Sequence, residues 1–425
     1  MLNSSKKSLT ILQNIRQKGF FHLLSANLLI QVVAFFSQLF VAGILSPDDI
    51  GRIKVIQTFL SIFSVVAGMG FSSSTLKLCS ENRSTEDQTA LFRSALFFTI
   101  LSTVSMYIII LILNLFGIFS SDKLIQWLIP LGLFPIITNS LFIVFISYFQ
   151  AIKKIKLLSK LTISNKLISI IGIILLSYFW GIKGYYVAYN ISFLFILLIC
   201  FQVLSSVFSK QFFSRTNFSQ FSTHWYYAKP SMMSYLLSET SAYVDILLIS
   251  YFVKDMHQIG YYSFALTITV IFRLFPSTVQ QITIPFFSLL ADKKTDFIIA
   301  FKRYNRILYG VVAITLIVAL ILVPPMIHLI FKGKYDMSMP YFPLLAIGWS
   351  LRQLAQLQNG AIFGLGKIHY NVKVSLITLV FSVVAIGISL YYFGLIGAAY
   401  ASIAGGLVHL ISSSYYYQKA QREML

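Results

Sequence analysis

The chain repeats itself at half its length, inside strongly apolar sequence. When it is shifted by 213 positions, residues 154–188 align with 367–401 without a gap, and nine of the 35 aligned pairs are identical. The shared residues include Gly181 and Gly394. An offset close to half of 425 residues indicates that one membrane-embedded unit is present twice. That is an organisation typical of transporters, with a substrate path expected where the halves meet.

The composition requires a membrane as solvent, since a mean hydropathy of +0.80 with 11% charged residues leaves too few charges to cover a soluble protein. Helices of about 20 apolar residues span a bilayer. Twelve such runs lie near 20–45, 55–79, 92–117, 124–149, 161–180, 184–208, 229–253, 260–287, 305–331, 340–364, 372–393 and 397–417.

Each half contains an even number of runs, so both halves enter the membrane in the same orientation and the repeat is parallel. A second match, at an offset of 209, places Ile50-Gly51 on Ile259-Gly260. The sequence therefore predicts an all-α integral membrane protein with twelve transmembrane helices in two six-helix bundles. The predicted division is an N-terminal bundle at 1–208, a cytoplasmic interfacial linker at 209–228 and a C-terminal bundle at 229–425.

The linker assignment depends on a short amphipathic pattern. Phe218, Phe221 and Trp225 follow one another at helical spacing among polar and basic residues. A helix lying in the cytoplasmic interface and a solvated loop both remain open for this segment.

The formal charge of +20 is explained by topology. With the N-terminus inside, 24 of the 33 cations fall in cytoplasmic segments and seven in external loops, and only Arg273 and Arg352 are assigned to span interiors. The positive-inside rule then places both termini in the cytoplasm. This distribution argues against nucleic-acid binding. Two cysteines, Cys79 and Cys200, have no metal-ligand spacing and are interpreted as packing residues.

Four charged residues are predicted at membrane depth: Glu239 and Asp245 in span 7, Arg273 in span 8 and Arg352 in span 10. Such groups are costly unless they face a cavity or a partner, so they are candidates for function. All four belong to the second half, which predicts an asymmetric cavity with an uncharged polar wall from the first half.

Polar residues at helical spacing extend these charges into stripes. Arg273 shares a face with Gln280, and Arg352 shares one with Gln356 and Asn359. Glu239 lies about 120° from Asp245 around the axis of span 7, so the two acids face different directions and are expected to have different roles. Each arginine either forms a permanent ion pair with one of the acids, which locks two helices together, or forms an ion pair that breaks on substrate or proton binding and so acts as a gate.

No cofactor motif is present: the sequence contains no nucleotide-binding loop, no cluster of metal-ligand residues and no nucleophile with a matching base. The external loops are short, which disfavours a membrane polymerase or a glycosyl or acyl transferase with an active site in a large loop.

Several segments resemble a known family. Residues 259–265 (IGYYSFA), 363–367 (FGLGK) and 394–399 (GLIGAA) are similar to the polysaccharide-transporter branch of the multidrug/oligosaccharidyl-lipid/polysaccharide exporter superfamily, and within it to bacterial O-antigen flippases. The likeness runs over nearly the whole chain, and its motifs are structural features of loops and helix ends.

The resemblance implies a flippase of the bacterial inner membrane that moves an undecaprenyl-pyrophosphate-linked oligosaccharide, an O-antigen or capsule repeat unit, to the outer leaflet by alternating access. We expect Arg273 and Arg352 to hold the pyrophosphate, with Gln280, Gln356 and Asn359 donating hydrogen bonds. Asp245 or Glu239 is expected to couple H⁺ or Na⁺ transport or to act as a gate. Membrane lipids, a polysaccharide polymerase and a chain-length regulator are the expected partners. The alternative is a cation-coupled drug exporter of the same superfamily, which would use the acids.

Overall fold

The computed structural model describes residues 20–81, 83–207, 220–290 and 293–424. These residues form α-helices joined by short connections, with a 3-10 turn at Asp336–Ser338 and no β-strand among them. The predicted all-α class is confirmed.

The helices of the first half are α1 (Phe20–Ile44), α2 (Pro47–Gly68), α3 (Phe71–Ser80), α4 (Thr85–Leu115), α5 (Lys123–Leu133), α6 (Pro135–Ala151) and α7 (Ile155–Val207). Those of the second half are α8 (Gln220–Phe252), α9 (Met256–Ile268), α10 (Ile271–Leu289), α11 (Lys294–Phe331), α12 (Phe342–Leu354), α13 (Gln356–Gly364), α14 (Ile368–Phe393) and α15 (Leu395–Arg422).

Eight helical stretches in the described part of the chain are long and apolar enough to cross a membrane, so the protein is a multi-pass membrane protein. One of them, Ile155–Leu204, covers the predicted span 161–180 and most of the predicted span 184–208. Each predicted span coincides with one helix, with one arm of α7, or with two helices joined end to end. The count of twelve spans stays a prediction that fits this arrangement.

Helix breaks recur in equivalent spans of the two halves. Span 2 breaks between α2 and α3, where Met69 and Gly70 adopt φ values of 47° and 72°, and its counterpart, span 8, breaks between α9 and α10. Spans 4 and 10 are interrupted at Phe134 and Ala355, which keep right-handed helical dihedral angles. A broken helix lets polar side chains at the break point toward a cavity, while its backbone groups find partners inside the protein.

The two helical hairpins that end the halves also match. The backbone at Gly181 has φ 59° and ψ −142°, and at Gly394 it has φ 61° and ψ −150°. Only glycine populates this region readily. Across the first hairpin, a Cβ built on Gly172 would lie 3.4 Å from the Cβ of Ala188, so the two arms of α7 run antiparallel.

The last part of the predicted linker is helical and continuous with span 7. Helix α8 starts at Gln220, so residues 220–228 of the predicted linker belong to the helix of span 7, while 208–219 lie outside the described residues. These helical residues are stabilised by packing against the first half. His224 is fully buried, with its Nδ1 2.8 Å from the Ser74 hydroxyl and its Nε2 3.1 Å from the Leu91 carbonyl.

At the end of the molecule that is predicted to be external, the halves are closely joined. The Lys334 ammonium donates to the carbonyl oxygens of Ala42 and Gly43 at 3.0 and 3.1 Å, and to that of Leu45. The Tyr335 hydroxyl donates to the Ala42 carbonyl at 2.9 Å. These bonds cap the last turn of α1, whose carbonyls have no partner within the helix.

Candidate functional site

A cavity of about 480 Å³, here called the central cavity, lies at the face of the second half that meets the first half. Most of its wall comes from the broken spans 8 and 10 and from α8, α14 and α15, while Lys54 comes from α2 of the first half. The lining is dominated by hydroxyl, amide and charged groups. A polar cavity in an apolar protein is a candidate ligand site.

Six of the seven predicted site residues line this cavity. Both predicted cations, one acid and all three amides are present: Arg273, Arg352, Glu239, Gln280, Gln356 and Asn359. Asp245 does not line it. Its side chain is buried at 7% exposure, where Oδ1 accepts from the Ile246 amide at 2.8 Å and Oδ2 accepts from the Tyr262 hydroxyl at 3.4 Å. The two acids of α8 therefore occupy different surroundings.

The two arginines come from the two broken spans. Arg273 lies in the first turn of α10, just after one break, and is exposed to the cavity. Arg352 lies in the last turn of α12, just before another break, with its guanidinium 5.2 Å from the Trp349 ring. In the described residues neither arginine is within 4 Å of a carboxylate, and Arg352 Nε has no hydrogen-bond partner. Both arginines line the cavity, where their guanidinium groups can donate to a ligand.

The amides are held in place by their neighbours. Gln356 Nε2 donates to Gln280 Oε1 at 2.6 Å, which links span 10 to span 8. Asn359 Nδ2 lies 3.2 Å from His409 Nε2, and Asn359 Oδ1 accepts from the Ser413 hydroxyl at 3.0 Å. Such contacts fix the orientation of polar side chains before a ligand binds.

His409 was not predicted as a site residue, yet it lines the central cavity between Asn359 and Thr378. Its two contacts assign the ring: Asn359 donates to Nε2, so the proton resides on Nδ1 and is donated to the Thr378 hydroxyl at 3.2 Å. The partners come from α13 and α14, whereas His409 is on α15, so sequence spacing offered no signal for this contact.

The predicted absence of charge on the first half is wrong. Lys54 and Lys166 line a second cavity of about 220 Å³, here called the first-half cavity, which is formed mainly by α1, α2 and both arms of α7. Lys54 is one of the seven cations predicted to lie in external loops. In the structure Ser46 caps α2 and accepts from the Asp49 amide, with Pro47 at the first helical position, so Lys54 lies two turns inside the helix. The Ser-Pro-Asp-Asp start is a helix-start signal that could have revealed it.

Lys54 lines both cavities, which therefore adjoin at this side chain. The remaining polar wall of the first-half cavity includes Gln57, whose Nε2 donates to the Tyr185 hydroxyl at 2.8 Å. No aspartate or glutamate is among the described residues that line the first-half cavity. Together the two cavities present four cations, Lys54, Lys166, Arg273 and Arg352, against one lining carboxylate, that of Glu239.

Comparison with solved structures identifies the fold. A lipid II flippase MurJ in an inward closed conformation has a TM-score of 0.77 at 17% identity, over 95% of this chain and 90% of that chain. The Vibrio cholerae MATE transporter VcmN has a TM-score of 0.67 at 16% identity, over 95% of this chain and 97% of that chain. An inward-facing multidrug resistance MATE family transporter of the MOP superfamily has a TM-score of 0.71 at 14% identity, over 93% of this chain and 96% of that chain. The fold is that of a MurJ- and MATE-like membrane transporter.

The sequence then gives the family. Residues 17–291, more than half of the chain, match the model of the polysaccharide biosynthesis protein family, and the chain belongs to that family. The resemblance to the polysaccharide branch of the exporter superfamily is thereby confirmed. No curated protein matches the sequence.

Proposed function

We propose that the protein is a flippase for undecaprenyl-pyrophosphate-linked oligosaccharide, an O-antigen or capsule repeat unit. It would carry this substrate from the cytoplasmic to the outer leaflet of the bacterial inner membrane by alternating access, with both termini in the cytoplasm. The observation that carries the proposal is the pair of arginines, Arg273 and Arg352, that two broken spans bring to one polar cavity. Family membership and the MurJ-like fold support it.

In this proposal the pyrophosphate binds in the central cavity. Arginine guanidinium groups form paired, charge-assisted hydrogen bonds to phosphate oxygens, and the free donors of Arg273 and Arg352 suit that role. Lys54 adds a third cation from the opposite wall. Gln280, Gln356 and Asn359 would donate hydrogen bonds to the first sugars. The polyprenyl chain stays in the membrane, since its transfer into a polar cavity is unfavourable.

The acids supply coupling or gating in this scheme. Glu239 lines the cavity and interacts electrostatically with Arg273, whereas Asp245 is buried behind the wall. H⁺ or Na⁺ is the coupling ion that we propose. A polysaccharide polymerase and a chain-length regulator would act on the product after it reaches the outer leaflet.

A deletion strain tests the function. Lipid-linked repeat units should accumulate on the cytoplasmic leaflet, and the wild-type gene should restore surface polysaccharide. Arg273→Glu should abolish restoration while the protein remains in the membrane. Arg303→Glu is the matched control, because Arg303 is an exposed cation of α11 that lines neither cavity. Full activity of Arg273→Glu would contradict the proposal.

A cation-coupled drug exporter is the second candidate, and Glu239 in the cavity wall together with the MATE-like fold favours it. Such a protein would confer resistance to lipophilic cations, and its deletion would leave surface polysaccharide unchanged. The excess of cations over acids in the two cavities favours an anionic substrate instead.

A further inference from the structure

His409 lies in the wall of the central cavity, and its hydrogen bonds suit a neutral ring. Asn359 Nδ2 donates to Nε2 at 3.2 Å, because Asn359 Oδ1 already accepts from the Ser413 hydroxyl at 3.0 Å. Nδ1 therefore carries the proton and donates it to the Thr378 hydroxyl at 3.2 Å. That hydroxyl can accept, because its own hydrogen is donated to the Val374 carbonyl at 2.8 Å. The ring is an uncharged imidazole with a lone pair on Nε2.

The guanidinium group of Arg352 lies beside this ring. A Cβ built on Gly405 would lie 3.3 Å from Arg352 Nη2. Gly405 is one helical turn before His409 and on the same face of α15, and both Arg352 and His409 line the central cavity. A positive charge next to an imidazole disfavours a second positive charge on the ring. Arg352 therefore favours the neutral ring as long as no anion balances its own charge.

The other charged and titratable groups that line the cavity with His409 come from three helices. They are Lys54 of α2, Glu239 and Tyr243 of α8, and Arg273 of α10. Among the described residues, α13 and α14, which hold the two hydrogen-bond partners of the ring, add no charged side chain to this lining. With Arg352, three cations line the cavity against one carboxylate. The ring thus lies in a positive field that a bound anion would offset.

A pyrophosphate held by Arg352 supplies the negative charge that favours an imidazolium. Histidine is the side chain whose charge ordinarily changes between about pH 5 and 8. We propose that His409 binds a proton together with the substrate: the Nε2 lone pair forms a bond to a proton taken up from solvent when the pyrophosphate enters the central cavity. This inference rests on the proposed function. It assigns the proton to His409 and leaves Glu239 and Asp245 with gating.

The surrounding hydrogen bonds can serve both states of the ring. When Nε2 carries a hydrogen, a half-turn of the Asn359 amide presents Oδ1 to that hydrogen and Nδ2 to the Ser413 hydroxyl. Ser413 then donates to the backbone carbonyl of His409, four residues earlier in the same helix, as hydroxyl groups in helices often do. Thr378 accepts from Nδ1 in both states. Each of these side chains keeps a partner, so protonation leaves none of them unpaired.

Titration calorimetry measures the proton uptake. Purified full-length protein is titrated with farnesyl pyrophosphate in buffers of different ionisation enthalpy, so the heat reports the protons bound per ligand. We expect the wild type to take up a fraction of a proton that His409→Gln does not. Its affinity should also rise about threefold more than that of the variant when the pH falls from about 8 to about 6. The ligand's own ionisation is common to both proteins and cancels in the difference.

The control variants separate loss of the proton site from other effects. His369→Gln should behave as the wild type, since His369 is an exposed histidine of α14 that lines neither cavity. His409→Asn is a second test variant: asparagine can donate to Thr378, glutamine can accept from Asn359, and neither binds a proton. Binding of farnesyl pyrophosphate by either variant shows that its cavity is intact. Proton uptake equal to that of the wild type in such a variant would overturn the inference.

Glu239→Gln tests the acid that lines the same cavity. Uptake that persists in Glu239→Gln supports His409 as the site, whereas uptake lost in Glu239→Gln assigns the proton to the carboxylate and overturns the inference. A wild type that binds farnesyl pyrophosphate without proton uptake overturns it as well, and leaves the pyrophosphate site of the proposed function intact. A wild type that does not bind farnesyl pyrophosphate at any pH overturns both.

Discussion

Gly184 and Gly397 occupy the same position in the two halves, each pressed against the preceding arm of its own hairpin. A Cβ on Gly184 would lie 1.9 Å from the carbonyl oxygen of Leu176, and a Cβ on Gly397 would lie 2.1 Å from that of Ser389. Leu176 and Ser389 are themselves 213 positions apart. The repeat thus preserves a backbone contact even where the side chains differ.

Alanine at either glycine should destabilise the protein by about 1–3 kcal/mol, because backbone atoms must move to admit the methyl group. We expect lower thermal midpoints for Gly184→Ala and Gly397→Ala in detergent. Gly387→Ala is the control: a Cβ there meets nothing within 4 Å, and alanine is the better helix former. Equal midpoints for all three variants would contradict the contact.

Arg352 should bind the anionic group of the substrate through both its charge and its planar shape. Arg352→Gln should weaken farnesyl pyrophosphate binding at least tenfold, and Arg352→Lys should weaken it less, because lysine keeps the charge and loses the paired donors. Equilibrium binding to purified protein measures both. A lysine variant as weak as the glutamine variant would show that guanidinium geometry, and not charge, determines affinity.

Lys166 lines the first-half cavity and is expected to attract the substrate anion without competition from an acid. Lys166→Gln should reduce the affinity for farnesyl pyrophosphate severalfold. Lys160→Gln is the matched control, since Lys160 is an exposed cation on the same helix, six residues earlier, and lines neither cavity. If both variants lose the same affinity, a diffuse field is responsible and not a site at Lys166.

Glu239 distinguishes the two candidate functions. Because it is the acid that lines the cavity beside Arg273, Glu239→Gln should strengthen pyrophosphate binding by removing a like charge. Tighter binding with slower transport is the expected outcome for the flippase. For a drug exporter the same variant should lose binding of lipophilic cations, which a fluorescent cation such as ethidium would report.

The C-terminal end of α15 should loosen at acidic pH. Glu423 accepts from the Tyr370 hydroxyl at 2.5 Å and pairs with Lys367 at 2.9 Å, and these contacts hold the pKa of Glu423 below its ordinary value. For an acid with a lowered pKa, the stabilisation is present above the ordinary pKa and is lost as pH falls through the lowered one. Carboxypeptidase digestion should accelerate over that range in the wild type, whereas Glu423→Gln should be digested quickly at every pH.

Much of this architecture follows from the sequence because a membrane imposes simple rules. Apolar runs mark the helices, and the cost of a charge at membrane depth places Arg273 and Arg352 toward a shared cavity. Both arginines do line one cavity. Their stripes also include Gln280, Gln356 and Asn359, since residues at helical spacing share a face.

What the sequence did not predict depends on depth and on tertiary contacts. A helical projection separates Glu239 from Asp245 in angle, but their separation of six residues, about 9 Å along the axis, takes Asp245 past the cavity wall. Lys54 was missed because hydropathy locates a span by its apolar centre, whereas α2 begins earlier at a polar cap. His409 acquires its site through Asn359 and Thr378, on two other helices.

The position of Lys54 between the two cavities has a consequence for the movement of an anion. An ion that leaves one isolated charge in a membrane protein must cross a region of low dielectric constant before it reaches the next, and that crossing dominates its barrier. Lys54 borders both cavities. For the proposed flippase, this predicts that the pyrophosphate can pass from the cations of one cavity to those of the other while Lys54 remains in contact with it.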